Sequence, residues 1–242
     1  MKVIEISGKS GSGKTLLIEH LIKGLSSAGY RVGAIKKSFH HNVEYDKEGK
    51  DTFRMEQAGA SITGGFSRNS AFLYYKHSVN PVEFIKKFQA VDFLLIEGNM
   101  GVAVPTIYCV SDEEPPRDDK LVFAFFTLKE DTPMGLTKPI FSLSRIEELT
   151  NLLMEKTPEF LPQLNCGKCG YDCAELLRRI LIGDSSIQEC QVLFGTKCDV
   201  TIDGEKMVLM PFLDKMLENI VKGFLSPLKG FRKGKIKIEI NE

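Results

Sequence analysis

Residues Lys2–Thr15 read KVIEISGKSGSGKT, and the order of residue types in this stretch decides the fold. Lys2–Ser7 is an apolar run of strand length, Gly8–Thr15 satisfies G-x-x-x-x-G-K-[ST], and Lys14–Ala28 then carries apolar residues three and four apart, the spacing of an amphipathic helix. A strand that breaks into a glycine-rich loop and restarts as a helix is the setting in which backbone amides converge on phosphate. Gly8, Gly11 and Gly13 permit the tight wrap, and Ser10 and Ser12 add their amides to the same loop. Lys14 offers a compact positive charge to the outer phosphates, and the Thr15 hydroxyl offers a ligand to Mg²⁺. Lys9 is open to two readings, a solvated loop lysine or a further nucleotide contact.

Outward from this loop, strand-like runs alternate with helical patterns. Strands are expected at Lys2–Ser7, Arg31–Lys36, Ser61–Phe66, Ala71–Tyr75, Val91–Glu97, Thr106–Val110, Leu121–Thr127 and Pro139–Leu143. The clearest helices are Lys14–Ala28, Pro81–Gln89 and Arg145–Lys156. This rhythm predicts an α/β fold of the P-loop NTPase class, a mostly parallel sheet flanked by helices. VDFLLIE, Val91–Glu97, has the near-continuous apolar character of a central parallel strand and delivers Glu97 to the edge where ligands bind in such sheets. Asp92 lies at the other end, roughly 16 Å away along an extended chain. Glu97 is therefore the candidate to hold a Mg²⁺-bound or attacking water, with a purely structural cap of Gly98-Asn99 as the alternative.

Charge and cysteine usage narrow the class. Lys plus Arg and Asp plus Glu both total 32, so no global field gathers nucleic acid, and any charged partner must be met locally. The longest apolar stretch, Leu121–Leu128, is far short of the roughly 20 residues that span a bilayer, and a cytoplasmic chain is expected. SDEEPPRDDK, Ser111–Lys120, reads as an exposed loop. Thr157–Asn165 has the composition of a linker, dividing a nucleotide-binding domain, 1–156, from a small cysteine-rich α+β module, 164–242. In that module Cys166, Cys169, Cys173 and Cys190 give C-x2-C-x3-C-x16-C, with a helix at Ala174–Ile182. In a reducing compartment such clustering argues for metal ligation over disulfides, and the spacing suits a cubane cluster or a tetrahedral zinc. Cys198 is a substitute fourth ligand, and Cys109 reads as a core residue. A hairpin at Asp203-Gly204 follows, then a helix with Phe212, Leu213, Met216, Leu217, Ile220, Val221 and Phe224 on one face. KIKIEI, 235–240, reads as a last strand whose lysines protect an edge.

Ile35–Ala60, IKKSFHHNVEYDKEGKDTFRMEQAGA, is a strand end, a polar loop and a short helix. It looks like a nucleotide-sensing loop in which Lys36, His40, His41, Asp46 and Asp51 meet phosphate, metal or a transferred group. The segment resembles the MobB family of molybdopterin-guanine dinucleotide biosynthesis. The residues that match its pattern are Ile35, Lys36, His40, His41, Asp46, Lys47, Gly49, Lys50, Asp51, Thr52 and Ala58-Gly59-Ala60, and LLIEGNM resembles the family's later Glu-Gly strand end. Asn99-Met100 stand where that family commonly has an aromatic-lysine pair. The resemblance covers about residues 2–155.

It implies GTP with Mg²⁺ and a homodimer; in that setting Lys36 is assigned to the nucleotide, Asp46 with Thr15 to Mg²⁺, and Asp51 with Glu97 to catalysis. No N-K-x-D motif occurs, so the guanine preference comes from the resemblance alone. The implied role is a GTP-binding adaptor assisting a MobA-type guanylyltransferase or other molybdenum-cofactor proteins, and its hydrolysis is expected to be slow because the loops offer no evident arginine finger, Arg54 and Arg68 being the candidates. The cysteine segment in turn is similar to small [4Fe-4S] modules that read CG-x-CGY-x-x-C, with zinc as the alternative. Lys9, in GK-x-G-x-GKT, resembles the second lysine of ParA/MinD-type ATPases. Together with the cysteines it motivates a competing reading, an ATPase that scaffolds or carries iron-sulfur clusters.

Overall fold

The computed structural model describes residues 1–38, 50–111, 119–129, 136–195, 198–207, 209–232, 234 and 236–238. Six strands, β1 (Lys2–Gly8), β2 (Val32–Lys36), β5 (Phe93–Glu97), β6 (Thr106–Cys109), β7 (Val122–Phe126) and β8 (Ile140–Phe141), form one sheet in the order β2-β5-β1-β6-β7-β8. Every pairing in it is parallel. The chain leaves β1 toward one edge and later returns to β1's other side with β6. The loop after β1 therefore opens at the point where the strand order reverses, the ligand-binding crevice of open parallel sheets.

Helix α1 (Lys14–Ser27) buries Leu17, Ile18, Leu21 and Leu25, a helical stripe that packs with Leu149 and Leu153 of α4 (Ile146–Lys156) over Ile4, Ile6, Leu95, Ile107 and Phe126 of the sheet. The opposite face carries Val3, Leu94 and Ile96 under Ile85 of α3 (Pro81–Lys86), whose start is capped by the Asn80 side chain accepting from the N–H groups of Val82 and Glu83. α2 spans Asp51–Gln57.

Two expectations need correction. β3 (Ile62–Phe66) and β4 (Ala71–Tyr75) do not join the parallel sheet but pair with each other as an antiparallel hairpin. Only four residues join them, and a parallel pair needs a crossover of a dozen or more. Residues 236–238, within the expected last strand, belong to no strand.

The C-terminal region holds α5 (Cys173–Leu181), the hairpin of β9 (Val200–Ile202) and β10 (Glu205–Met207), and α6 (Pro211–Leu225). The expected apolar face of α6 is present, yet Phe212, Met216, Ile220 and Phe224 stand exposed, while Glu218 is buried between Lys215 and Lys222. Thr157–Asn165 is laid against the sheet domain: the Phe160 N–H donates to the Met1 carbonyl, and Gln163 both accepts from the Ala103 N–H and donates to its carbonyl, each at 2.9 Å.

Candidate functional site

The phosphate loop is shaped by its glycines and closed by its lysine. At Gly8 (φ +137°) an added Cβ would lie 2.5 Å from the Cys109 carbonyl oxygen, so the first turn can pass β6 only without a side chain. Gly13, left-handed at φ +87°, starts α1. Ser12 is buried and donates to the Lys9 carbonyl at 2.8 Å. The Lys14 ammonium donates to the Gly8 carbonyl at 2.9 Å and to that of Lys9, which holds a positive charge in the centre of the loop.

Glu97 is where the sequence places it, at the C-terminal end of β5. The Thr15 hydroxyl donates to its Oε2 at 2.8 Å, and Lys36 Nζ lies 3.4 Å from its Oε1. Register explains the second contact, since Lys36 and Glu97 are paired neighbours on β2 and β5. These side chains, with Ser10, Gly11, Gly13 and Lys14, line a cleft of about 310 Å³ at the start of α1. It combines amides, two ammonium groups, a hydroxyl and a carboxylate, the donor set for a polyphosphate with its Mg²⁺.

Other candidates are placed elsewhere. Asp51 opens α2, is strongly exposed and pairs with Arg54 at 3.8 Å, outside the lining of this cleft. Lys9 lines a second cleft, on the far side of the loop. His40, His41 and Asp46 lie outside the described residues. Cys109 is fully buried, as expected of a core residue, and burial pushes its thiol up to about 12.

The cysteine segment is a small core of its own. Cys173 and Cys190 are buried with Leu161, Leu176, Leu177 and Val192, and Cys166, Cys169, Ala103 and Leu121 pack against them. Asn165 accepts from the Cys173 N–H at 2.9 Å, and the Asp172 side chain caps α5 by accepting from the Glu175 N–H. The Cys190 thiol is raised by burial and further by Cys173 and Cys169 beside it. Four cysteines in one apolar cluster have the donor chemistry for thiophilic ligation, although among the described residues no three metal-ligating side chains are already set to hold an ion. Cys198 is drawn to α6 instead: its N–H donates to Asp214 Oδ1 at 2.9 Å.

Residues 3–126 match the family model MobB, molybdopterin guanine dinucleotide synthesis protein B. The chain belongs to the MobB family. Residues 161–192, which include Cys166, Cys169, Cys173 and Cys190, match a second model, described as "Putative Fe-S cluster". Over its full length the chain is 27% identical to a Methanocaldococcus jannaschii protein named "Putative molybdopterin-guanine dinucleotide biosynthesis adapter protein", covering 98% of it. A MobB relative named molybdopterin-guanine dinucleotide biosynthesis adapter protein, from Haemophilus influenzae, is 33% identical over 62% of this chain and 86% of its own. The crystal structure of Bacillus subtilis MobB superposes with a TM-score of 0.54 at 24% identity, covering 66% of this chain and all of that one, which shows the shared MobB fold.

Glu5, which the sequence reading did not single out, is 3% exposed in the middle of β1. The signal was an acid inside VIEIS, a strand otherwise apolar at its core positions. Glu5 lines the second cleft, as do Tyr108 and Asp119.

Proposed function

We propose that this chain is a GTP-binding adaptor of molybdopterin-guanine dinucleotide biosynthesis, with slow GTP hydrolysis and a C-terminal [4Fe-4S] module. The observation that carries the reading is the meeting of Thr15, Glu97 and Lys36 at the phosphate loop, in a chain whose relatives are named as adapters of that synthesis. The loop amides and the α1 N-terminus bind the phosphates, Lys14 neutralises the outer ones, and Thr15 ligates Mg²⁺. Thr15 and Glu97, now hydrogen-bonded to each other, would together hold the Mg²⁺, which would supply charge neutralisation at the phosphates. No arginine is among the residues lining the cleft, and a site without a guanidinium at the transferred charge hydrolyses slowly.

Cys166, Cys169, Cys173 and Cys190 would hold the cluster, which supplies one-electron redox chemistry or a docking surface when bound. Two domains divide these roles, 1–156 serving the nucleotide and 164–242 the cluster; the family matches at 3–126 and 161–192 support two parts without setting their bounds. A MobA-type guanylyltransferase is the partner, the protein acts as a homodimer, and its compartment is the cytoplasm. No helix among the described residues is long and apolar enough to cross a membrane.

Calorimetric titration of anaerobically purified protein with GTP and then ATP, each with Mg²⁺, tests the reading, with Lys14→Ala as control. A GTP preference of roughly tenfold, about 1.4 kcal/mol, supports it. An ATP preference favours the competing cluster-carrying ATPase. Zinc at one equivalent without iron removes the cluster.

A further inference from the structure

The sheet face opposite α1 holds an unusual group of side chains. Glu5 and Ser7 of β1 are register partners of Thr106 and Tyr108 of β6, so all four share one face, while Ile4, Ile6, Ile107 and Cys109 pack under α1 on the other. Glu5, Thr106 and Tyr108 are nearly inaccessible, yet they line a cleft of about 320 Å³ walled by Val102, Leu121 and Val122. α3 covers the sheet on one side of this gap, and the cysteine core reaches its other side through Leu121. A buried carboxyl in a central strand costs stability, and chains retain such groups mainly where they bind something.

The Met100 backbone and the Asn99 side chain beside this carboxyl favour its charged form. Asn99 Oδ1 accepts from the Gly101 N–H at 2.7 Å, which fixes the Asn99 side chain at the cleft. A carboxylate accepts about four hydrogen bonds, and this one lines the cleft. A partner with two parallel N–H donors matches its two oxygens together. Apolar lining by Val102, Leu121 and Val122 beside Tyr108 suits an aromatic ring, and Lys9 in the same lining suits a phosphate carried by it.

We infer that this second cleft binds the 2-amino-4-oxopyrimidine edge of a bicyclic ring, the edge shared by pterin and guanine, with Glu5 as the acceptor of its paired N–H groups. The site is distinct from the phosphate cleft: Glu97 faces one, and Asn99, two residues on, lines the other. Only the expectation that pterin is the natural source rests on the proposed function.

The test uses the whole chain, which has no tryptophan to obscure pterin fluorescence. Pterin is titrated into wild type, Glu5→Gln and Lys14→Ala, with lumazine, which lacks the 2-amino group, as the matched analogue. Wild type should bind pterin at least roughly tenfold more tightly than lumazine, about 1.4 kcal/mol, and Glu5→Gln should lose that margin. Equal affinity for the two rings, an unchanged margin in Glu5→Gln, or no binding of pterin or guanosine overturns the inference. The lumazine comparison needs no variant, so it stands even where Glu5→Gln folds poorly. Pterin bound equally by Lys14→Ala, and retained under saturating GTP·Mg²⁺, assigns the cleft to a separate pterin ligand. Displacement by GTP·Mg²⁺ in wild type but not in Lys14→Ala assigns it to the guanine of the loop-bound nucleotide. GTP·Mg²⁺ binding measured alone reports on the proposed function separately, so either can fail without the other.

Discussion

Glu5→Gln also makes a quantitative statement about stability. Burial pushes the Glu5 acid up from 4.5 to about 7, with the Met100 and Asn99 hydrogen bonds opposing the rise and Asp119 adding to it. An acid with a raised folded pKa binds more protons in the folded than in the unfolded chain between the two values. Its contribution is therefore fully present below about pH 4.5, falls as pH rises, and is gone above about pH 7. At about 1.4 kcal/mol per pKa unit the whole effect is roughly 3 kcal/mol, of which roughly 2.5 kcal/mol falls between pH 5 and pH 8. Glutamine cannot ionise, so the variant escapes this loss. Urea unfolding of both proteins at pH 5, 6, 7 and 8 reads the difference, in which titrating groups that do not interact with Glu5 cancel. The variant should gain on wild type by roughly 2.5 kcal/mol across that range, whatever constant offset comes from a mismatched contact with Asn99. Two curves that run parallel would refute the reasoning, because Glu5 would then ionise as freely in the folded chain as in the unfolded one.

Thr15→Ala should weaken GTP binding roughly tenfold or more in Mg²⁺ while leaving binding in EDTA unchanged, read by calorimetry, since the hydroxyl acts through the metal. Gly8→Ala should destabilise the chain by at least about 1–3 kcal/mol, seen in thermal melts, because φ +137° and the Cys109 carbonyl both exclude a Cβ. Cys190→Ala should lose most bound iron on anaerobic purification, whereas Cys198→Ala, altering a thiol set against α6, should keep it. Gln163→Ala should cost about 1–3 kcal/mol by urea unfolding, as the Ala103 N–H and carbonyl lose their partner.

Much of this was legible because the deciding signals are local. The strand, loop and helix of 2–27 follow from residue order alone, and Glu97 follows from a strand apolar enough to be central. β3 and β4 were legible as strands but not as a separate hairpin, since partner choice is a matter of connection length and not of composition. The short joint through Ser67–Ser70 was the clue. Glu5 escaped because a single acid barely alters the average of an apolar run. Asp119 escaped because it lies in SDEEPPRDDK, whose seven charges read as solvent-facing loop, and it is exposed where it lines the cleft. Only the register of β1 on β6 reveals that the first of these acids shares a face with Thr106, and the cleft lining brings in the second.

The seam at Gln163 bears on ancestry. Gln163 grips Ala103 through that residue's main-chain N–H and carbonyl, groups that nearly any residue at 103 would offer. At this point of the seam the arriving piece supplies the side chain and the P-loop chain only its backbone, while Ala103 and Leu121 add a small apolar patch against the cysteine core. Joining such a segment to a P-loop chain at this point thus asks for one backbone contact and two apolar side chains. The pattern of matches fits this, with the Methanocaldococcus jannaschii relative aligning along the whole chain and the Haemophilus influenzae relative along 62% of it.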